Sequence, residues 1–304
     1  MSYDNMINRT KAEALISPQI SQEIFNGAVE ASAVLKHGRR LPNMTSKQTK
    51  LRVSDGLPVA GFVTGDTGLK PTSDASWTNK IIEAEEVAVI IPIPEAVLDD
   101  ADYDIIAETK PKIIEAFGKV IDQAVLYGTN KPSTWPDGLT TQITAAGNNV
   151  AHVASDTLYN QIDKAMAKVE ENGYIADTIL GGVALKSGFR NMLDANGQPI
   201  KGTEIDSINR DFVKNGAWDP EETKMIVGDF SNLVYAIRQD VTYKLLTEAS
   251  ISDSTGKVIY NFAQQDMVGL RVVMRLGWQC PNPVNALKPT ESTRFPFASV
   301  DLPA

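Results

Sequence analysis

The chain has few of the residues that build disulfides and metal sites. It contains one cysteine, Cys280, and two histidines, His37 and His152, in 304 residues. One thiol cannot form an internal disulfide, and this set falls short of the four ligands of an ordinary structural zinc site. Stability therefore has to come from burial and from contacts between subunits. We interpret Cys280, next to Trp278, as a small buried residue in preference to a redox nucleophile.

The sequence also lacks the apolar segments that address proteins to membranes. No run approaches the roughly 20 apolar residues that a spanning helix needs, and the first residues lack the charged-then-apolar layout of a signal peptide. We therefore expect a protein that is made and kept in a cytoplasm. With 42% hydrophobic residues, the chain is long enough for one large or two modest cores.

The formal net charge of −9 is unevenly distributed along the chain. Between Ala31 and Ser54 there are six basic residues and no acidic one: Lys36, Arg39, Arg40, Lys47, Lys50 and Arg52. Between Ile81 and Thr109 there are nine acidic residues and no basic one: Glu83, Glu85, Glu86, Glu95, Asp99, Asp100, Asp102, Asp104 and Glu108. Segments of opposite sign suit pairing between neighbouring subunits, although two solvated faces would give the same pattern.

The first third of the chain predicts a helix followed by a long hairpin. Pro18 and the apolar spacing predict a helix over 19–35, which ends before Gly38. Residues 49–53 alternate like an edge strand, whereas the Gly-rich residues 54–76 could form little core and are interpreted as a protruding hairpin loop. Alternation resumes at Trp77 and continues to the Pro-containing edge strand at 91–94.

A long amphipathic helix is predicted over 102–127. One apolar stripe runs along it, formed by Ile106, Ile113, Phe117, Val120, Ile121, Ala124 and Val125. Pro111 interrupts the pattern, so we expect a kink or a fresh start near Thr109. A helix of about 26 residues would span roughly 39 Å and would act as a strut.

Past Gly138 the pattern changes to short alternating helices and strands, which is typical of an α/β layer. The predicted helices cover 156–171, capped by Ser155 or Asp156, 183–193 and 232–237. The predicted strands cover 178–180, 225–227, 241–246, 258–262 and 268–276. The Pro-rich residues beyond Trp278 predict an extended tail that adheres to the body.

Three motifs that could carry chemistry have simpler structural interpretations. Gly181 and Gly182 lack the spacing of a phosphate-binding loop and are interpreted as a helix start. Asp100, Asp102 and Asp104 match the first ligand positions of a calcium loop, but Gly is missing at the sixth position and Glu at the twelfth, so they are interpreted as acidic caps of the long helix. His152, Ser155 and Asp156 simply precede a helix and are not read as a catalytic triad.

Two isolated carboxylates could also serve catalysis or cation binding. Asp122, on the long helix, is interpreted as a polar tie to the neighbouring sheet in preference to a catalytic group. Asp229 and Ser231 lie where a turn and a helix cap are needed. The basic segment lacks interleaved aromatics, which argues against stacking on single-stranded nucleic acid, whereas loose contact with DNA phosphates stays open. We therefore predict no catalytic, cofactor or metal site.

The order of several motifs resembles the major capsid proteins of tailed bacteriophages, the Hong Kong 97-like coat fold. Trp77 leads into the alternating strand and Ile93-Pro94-Glu95, and Leu98-Asp99 precedes the long helix. The later matches are Ile121-Asp122-Gln123-Ala124-Val125-Leu126-Tyr127-Gly128, Pro136-Asp137-Gly138-Leu139, Gly228-Asp229-Phe230-Ser231 and, more weakly, 194–200. Each motif alone is unspecific, but their order covers about 250 residues.

The resemblance implies an α+β capsid subunit whose parts take distinct places in a shell. These parts are an N-terminal arm (1–47), an extended β-hairpin loop (48–88), a peripheral domain with a long spine helix (89–137 and 262–290), an axial α/β domain (138–261) and a C-terminal tail (291–304). Axial domains gather at fivefold and sixfold centres of such shells, while hairpin and arm lie over neighbouring subunits. The subunit-interface candidates are Arg39, Arg40, Lys50, Arg52, Glu83, Glu85, Glu86, Asp99, Asp100 and Asp102.

The function implied is self-assembly into the icosahedral head of a tailed phage, as pentamers and hexamers in the host cytoplasm. Expected partners are a scaffolding protein, a portal and packaged double-stranded DNA that is not read by sequence. Many relatives carry a removable scaffolding segment before the arm, and here the arm begins almost at Met1, so a separate scaffold or prior cleavage is implied. Some relatives join loop lysines to a neighbour's asparagines, but no motif fixes partners for Lys70 or Lys80. A bacterial encapsulin compartment is the alternative, and an enzyme is a remoter one.

Overall fold

The fold is a mixture of helices and sheets. The computed structural model of the chain describes residues 27, 30–63, 68–70, 72–100, 105–153, 155–192, 198 and 208–302. Its helices of four or more residues are α1 (Ala33–His37), α2 (Glu95–Asp100), α3 (Ile105–Leu126), α4 (Leu139–Ala145), α5 (Leu158–Glu171), α6 (Leu185–Arg190) and α7 (Phe262–Gln265). Its strands are β1 (Arg39–Arg40), β2 (Gln48–Ser54), β3 (Trp77–Glu83), β4 (Glu85–Pro94), β5 (Asn149–Val150), β6 (Thr178–Gly182), β7 (Asn209–Val213), β8 (Met225–Gly228), β9 (Val234–Leu246), β10 (Ser250–Ser252), β11 (Val258–Asn261), β12 (Met267–Gln279) and β13 (Phe297–Val300).

One sheet has four strands in the order β1-β9-β12-β4. The long strand β12 pairs antiparallel with both β9 and β4, whereas β1 of the arm pairs parallel with β9. In the described part of the chain, β4 therefore lies at one edge, as its two prolines predict. The predicted hairpin is also confirmed, because β2 and β3 pair antiparallel from Gln48↔Glu83 to Ser54↔Trp77.

A second sheet has five strands in the order β5-β13-β8-β6-β7. Alternate residues of its strands face two different cores, since side chains alternate across a strand. Ile226 of β8 and Phe297 of β13 face the core that contains α3, while Val227 and Ala298 face the core beneath α5 and α6. Burial on both faces explains the short apolar runs of this sheet.

The helix α3 is the strut between the two sheets. It has 22 residues, so it spans about 33 Å at 1.5 Å per residue. Ile113, Phe117 and Ile121 lie within one core together with residues of β12, β9 and β8. This single core joins both sheets through the helix.

The turn after α3 depends on two glycines. Gly128 has a φ of +72°, a left-handed conformation that ends the helix, and its N–H donates to Ala124 O at 3.1 Å. Gly138 lies directly against it, because a Cβ on Gly138 would come within 2.5 Å of the Gly128 nitrogen. The two motifs that end the helix and begin α4 therefore need glycine for separate reasons.

Several predictions about the first half need correction. Most of the predicted helix 19–35 lies outside the described residues, and within them the helix is interrupted at Ser32, which has extended backbone and caps α1. The fresh start predicted near Thr109 is wrong, because α3 runs through Pro111 without a break. Val120, assigned to the buried stripe, is 47% exposed, while its neighbour Ile121 is fully buried.

Predictions about the second half need correction as well. Thr157 caps α5 through its hydroxyl, in place of Ser155 or Asp156. The predicted helix 232–237 is wrong, since strand β9 begins at Val234. The described part of the predicted tail 291–304 is not a simple extended strap: Glu291–Thr293 forms a 3-10 helix, and Phe297–Val300 forms the buried strand β13 between β8 and β5.

Candidate subunit interface

The hairpin β2–β3 has one face on the body and one face in solvent. Opposite residues of an antiparallel pair share a face, and Val53 and Ile82 point to the body and are buried. The other face is exposed and combines basic, polar and apolar side chains: Gln48, Lys50, Arg52, Trp77, Asn79 and Ile81. The exposed face thus holds two of the interface candidates next to two large apolar residues.

The loop beyond these strands exposes large apolar side chains to an unusual degree. Phe62 is 106% and Leu69 is 96% exposed, and Leu57, Val59 and Val63 are exposed too. Several large apolar side chains exposed within one short segment are typical of an interaction site. These residues are not buried against the body of their own subunit, which fits a partner that covers them.

The base of the hairpin is fastened to the segment after β12. Lys80 forms an ion pair with Glu291 at 2.7 Å and donates to Cys280 O at 3.2 Å. Val284 N donates to Ser54 O at 3.0 Å. Lys80, whose cross-linking was left open, therefore makes contacts within its own subunit. The neighbouring Cys280 is fully enclosed, and burial raises the pKa of its thiol to about 12, so it is not poised to react.

The basic candidates lie on exposed parts of the arm and hairpin. Arg39 and Arg40 form β1 at the edge of the four-stranded sheet, and both are exposed. The Arg40 guanidinium donates to Asn43 Oδ1 at 3.0 Å. Lys50 and Arg52 project from the solvent face of β2, two residues apart. These four cations are accessible to a neighbouring subunit.

The acidic candidates are largely engaged inside the chain. Lys47 pairs with Glu83 at 3.0 Å and with Glu85 at 3.2 Å, and Glu86 pairs with Arg275 at 2.7 Å. The hydrogen bond from Lys47 lowers the pKa of the Glu83 carboxyl below its ordinary value. The side chains of Asp99 and Asp100 in α2, and all of Asp102 and Asp104, lie outside the described part of the structure. The predicted contact between subunits is not tested by these intrachain pairs.

Asp122 forms the predicted polar tie, but it binds the N-terminal arm and not chiefly the neighbouring sheet. Its carboxyl group accepts four hydrogen bonds: from Ser32 Oγ (2.6 Å), Asn215 Nδ2 (2.7 Å), Ala33 N (3.0 Å) and Val34 N (3.1 Å). Complete burial raises the pKa of the carboxyl, while these four donors oppose the rise because they stabilise the ionised form. Asp122 therefore caps α1 from a distant part of the chain.

A second cluster holds the other end of α1 to the five-stranded sheet. Lys36 Nζ and His37 Nε2 lie 2.5 and 2.8 Å from Asp211 Oδ2 of β7. Burial would raise the pKa of Asp211, but the hydrogen bonds from Lys36 and His37 outweigh it and lower the pKa below the ordinary value. Two carboxylates thus fix the arm between α3 and the sheet.

The remaining chemical candidates take structural roles. Asp229 caps the short 3-10 helix 230–232 by accepting from Ser231 N at 3.1 Å, as predicted. His152 lies 3.3 Å from the Gln161 amide. No cluster of three or more His, Cys, Asp or Glu side chains that could hold a metal lies in the described ranges. Nor do those ranges include a helix that is long and apolar enough to cross a bilayer.

Sequence reasoning missed the apolar part of this surface. Leu57, Val59, Phe62 and Leu69 follow no helical or strand period, so a pattern search passes over them. The available signal was the combination of large apolar residues with closely spaced glycines in one segment. Lys47 was counted with the basic arm, and its pairing with Glu83 depends on a strand register that charge counting does not reveal.

Comparison with known proteins identifies the family. Residues 12–291 match the Phage capsid family. The chain is 26% identical over 284 residues to the major capsid protein of Staphylococcus phage 80alpha, covering 90% of this chain and 84% of that protein.

Solved structures of phages give the same result. A chain of Microbacterium phage Oxtober96 matches with a TM-score of 0.79 and 34% identity, covering 97% of this chain and 99% of that one. Mycobacterium phage Adephagia provides a similar match, with a TM-score of 0.79, 33% identity and coverages of 97% and 98%. These relatives give the encapsulin alternative no support. The chain belongs to the phage capsid family and is a major capsid protein of a tailed phage, a structural protein that assembles with itself into the shell of the virion.

Proposed function

We propose that this chain forms an icosahedral head shell from pentamers and hexamers, in which each hairpin and arm lie over a neighbouring subunit. Each part of the chain then takes its own place in the shell. These parts are the arm (1–47), the hairpin loop (48–88), the peripheral parts (89–137 and 262–290), the axial part (138–261) and the tail (291–304). Axial parts meet at the fivefold and sixfold centres. The β13 strand within the tail adds to the sheet of the axial part.

The observation that carries the proposal is the exposed hairpin. Its solvent face and loop expose Trp77 (68%), Phe62 and Leu69, while its base is fastened by Lys80 and Glu291. A fixed base with an apolar far end is suited to reach a second subunit and to bury that surface there.

Charge pairing between subunits supports the same arrangement. Arg39, Arg40, Lys50 and Arg52 are exposed, and the acidic run of a neighbour offers Asp99, Asp100 and Asp102 as partners. Glu83, Glu85 and Glu86 contribute less, because each already has a cation of its own chain. Long-range attraction between such segments would speed and orient assembly.

The wider partners follow from the role in a phage head. We propose that the shell assembles in the host cytoplasm around a separate scaffolding protein, includes a portal and encloses double-stranded DNA. The basic arm carries no interleaved aromatic residues, so contact with DNA would be to phosphates and independent of sequence.

The test is a charge placed on the hairpin face. Trp77→Asp should leave the unfolding of the isolated subunit unchanged, since Trp77 is exposed, and should reduce the yield of shells in a sedimentation assay. Trp77→Phe is the matched control, because it keeps an aromatic surface, and should assemble nearly as wild type. Wild-type yield from Trp77→Asp would count against a hairpin that covers its neighbour.

A further inference from the structure

A pocket lies beside the five-stranded sheet, where the end of β6 meets the first turns of α5 and α6. Its volume is about 320 Å³, and small-molecule sites in proteins cover about 300–1,000 Å³. Most of its lining is apolar, with Leu158 from α5, Leu185 from α6, Trp218 and Pro220 from the loop before β8, and Leu302 from the chain after β13. We call this cavity the α5–α6 pocket.

The walls of the pocket are packed closely at two glycines. A Cβ on Gly182 would come within 2.7 Å of Trp218 Cδ1, and a Cβ on Gly188 would come within 2.9 Å of Leu158 Cδ2. Trp218 also packs edge to face on Tyr127, with the ring centroids 6.0 Å apart. These contacts hold the indole and the start of α5 in place, so a ligand would meet a pocket that is largely formed before it binds.

One cation lies in this apolar lining. Lys224 is the only charged residue among the lining residues that the structure describes, and its amine donates to Gln161 Oε1 at 2.7 Å. Gln161 is 1% exposed, and its amide nitrogen lies 3.3 Å from His152 Nδ1. The buried amide therefore fixes the position of the amine without neutralising its charge.

The charge of Lys224 has no acidic partner within the described ranges of the chain. Partial burial lowers the pKa of its amine below the ordinary value, and no carboxylate of those ranges opposes the shift. Lys47, in contrast, pairs with two glutamates. An anion bound beside Lys224 would supply the missing charge, because an ammonium group withdrawn from water gains more from a carboxylate than one in bulk solvent.

We propose that the α5–α6 pocket binds a small amphipathic carboxylic acid, with its alkyl chain against Leu158, Leu185 and Trp218 and its carboxylate on the Lys224 amine. A purely apolar ligand would leave the amine without a counter-charge, and a purely polar anion would leave the apolar walls uncovered. The bound acid would join the chain at Leu302 to both helices and would stabilise the folded subunit by mass action. The proposal is independent of shell formation.

Calorimetric titration of unassembled subunits with sodium octanoate tests the site. Octanoate should bind as one molecule per subunit, and at least tenfold more tightly than 1-octanol, which covers the apolar walls but carries no charge. Each methylene added between hexanoate and octanoate should tighten binding roughly fourfold. Octylamine should bind more weakly than 1-octanol, since its ammonium group would face another cation.

Two substitutions locate the site on the chain. Lys224→Met removes the charge but keeps an apolar stem, so it should weaken octanoate binding at least tenfold and leave 1-octanol within about twofold. Ala184→Phe adds a ring at an exposed position of the lining and should weaken both ligands. Lys164→Met is the matched control, because this lysine of α5 pairs with Asp156 and is not among the described lining residues; it should bind octanoate as wild type does.

Thermal unfolding gives a second measurement. Saturating octanoate should raise the Tm of the wild type and of Lys164→Met, and should leave the Tm of Ala184→Phe unchanged. No saturable octanoate binding by the wild type, or equal binding by wild type and Lys224→Met, would overturn the proposal. If Lys224→Met does not fold, the comparison of ligands on the wild-type chain decides, and equal affinities for octanoate and 1-octanol would overturn it.

Discussion

The tie between Asp122 and the arm makes the sharpest prediction about stability. Asp122 and Ser32 are fully buried, and the carboxyl group accepts hydrogen bonds from two main-chain N–H groups, one hydroxyl and one amide. Asp122→Ala removes the acceptor for all four donors at once. The donors lie on the arm and on the loop after β7, so the variant loosens two segments from α3.

The magnitude follows from the number of donors left without a partner. A buried donor that loses its acceptor costs about 1–3 kcal/mol, so four would cost about 4–12 kcal/mol if nothing relaxed. Removal of a buried charge and relaxation of the freed donors both reduce this sum, so the expected cost lies near its lower end. We therefore expect the free energy of unfolding to fall by about 3–5 kcal/mol.

Asp122→Asn separates hydrogen bonding from shape. Whichever way the amide is turned, its NH₂ group replaces an oxygen that accepts from Val34 N or from Ala33 N. At least one main-chain donor is left unpaired, at a cost of about 1–3 kcal/mol. Ser32→Ala removes the side-chain cap of α1 and should cost about 1 kcal/mol.

The measurement is urea unfolding of unassembled subunits followed by tryptophan fluorescence. The control is Asp163→Ala, an exposed helical aspartate whose loss should change stability by less than about 0.5 kcal/mol. Coupling between Ser32→Ala and Asp122→Asn in a double-mutant cycle should exceed about 0.5 kcal/mol. If Asp122→Ala unfolds at the same urea concentration as the control, the carboxylate does not hold the arm and the reasoning is refuted.

Three further predictions concern other parts of the subunit. Arg294 is buried, and its guanidinium donates to three main-chain carbonyls and to Asn282 Oδ1. Arg294→Lys cannot reproduce these four hydrogen bonds and should lower the free energy of unfolding, measured in urea, by about 2–4 kcal/mol. A wild-type free energy of unfolding would contradict that role. Arg39→Glu/Arg40→Glu should reduce shell yield most at low salt, where screening is weakest, and a salt-independent yield would argue against charge pairing. The buried Cys280 thiol, with its pKa raised to about 12, should not react with a disulfide reagent at pH 8 and should react fully after unfolding, whereas native reactivity would show an accessible thiol.

Elements with one buried face were predictable from the sequence, and so were the short strands β6 and β8, which are buried on both faces, but the start of β9 was not. The alternation of β2, β3 and β4 and the stripe of α3 gave correct assignments, because one side faces solvent. In contrast, residues 234–237 form a continuous apolar run. Val234 and Ala236 face one core while Tyr235 and Ile237 face another, so the strand lost its alternation and resembled a short helix.

Among the interface candidates, which stay predictions, the exposure of the basic residues was predictable from the sequence, whereas the pairing of the acidic ones within the chain was not. Charge counting found the basic segment at Arg39 and Arg40, which is exposed. It could not tell that Lys47 would satisfy Glu83 and Glu85 within the chain, since that depends on the step from β3 to β4. The strand β13 could not be predicted from the local sequence either, because it pairs with β8, which lies about 70 residues earlier in the chain.

The most direct test of the central claim is electron cryo-microscopy of the chain expressed with the genes that neighbour it. A major capsid protein should yield closed icosahedral shells built from this chain, with the hairpin of each subunit lying across the next. A chain that stays a compact monomer at high concentration, with its scaffolding protein present, would contradict the account.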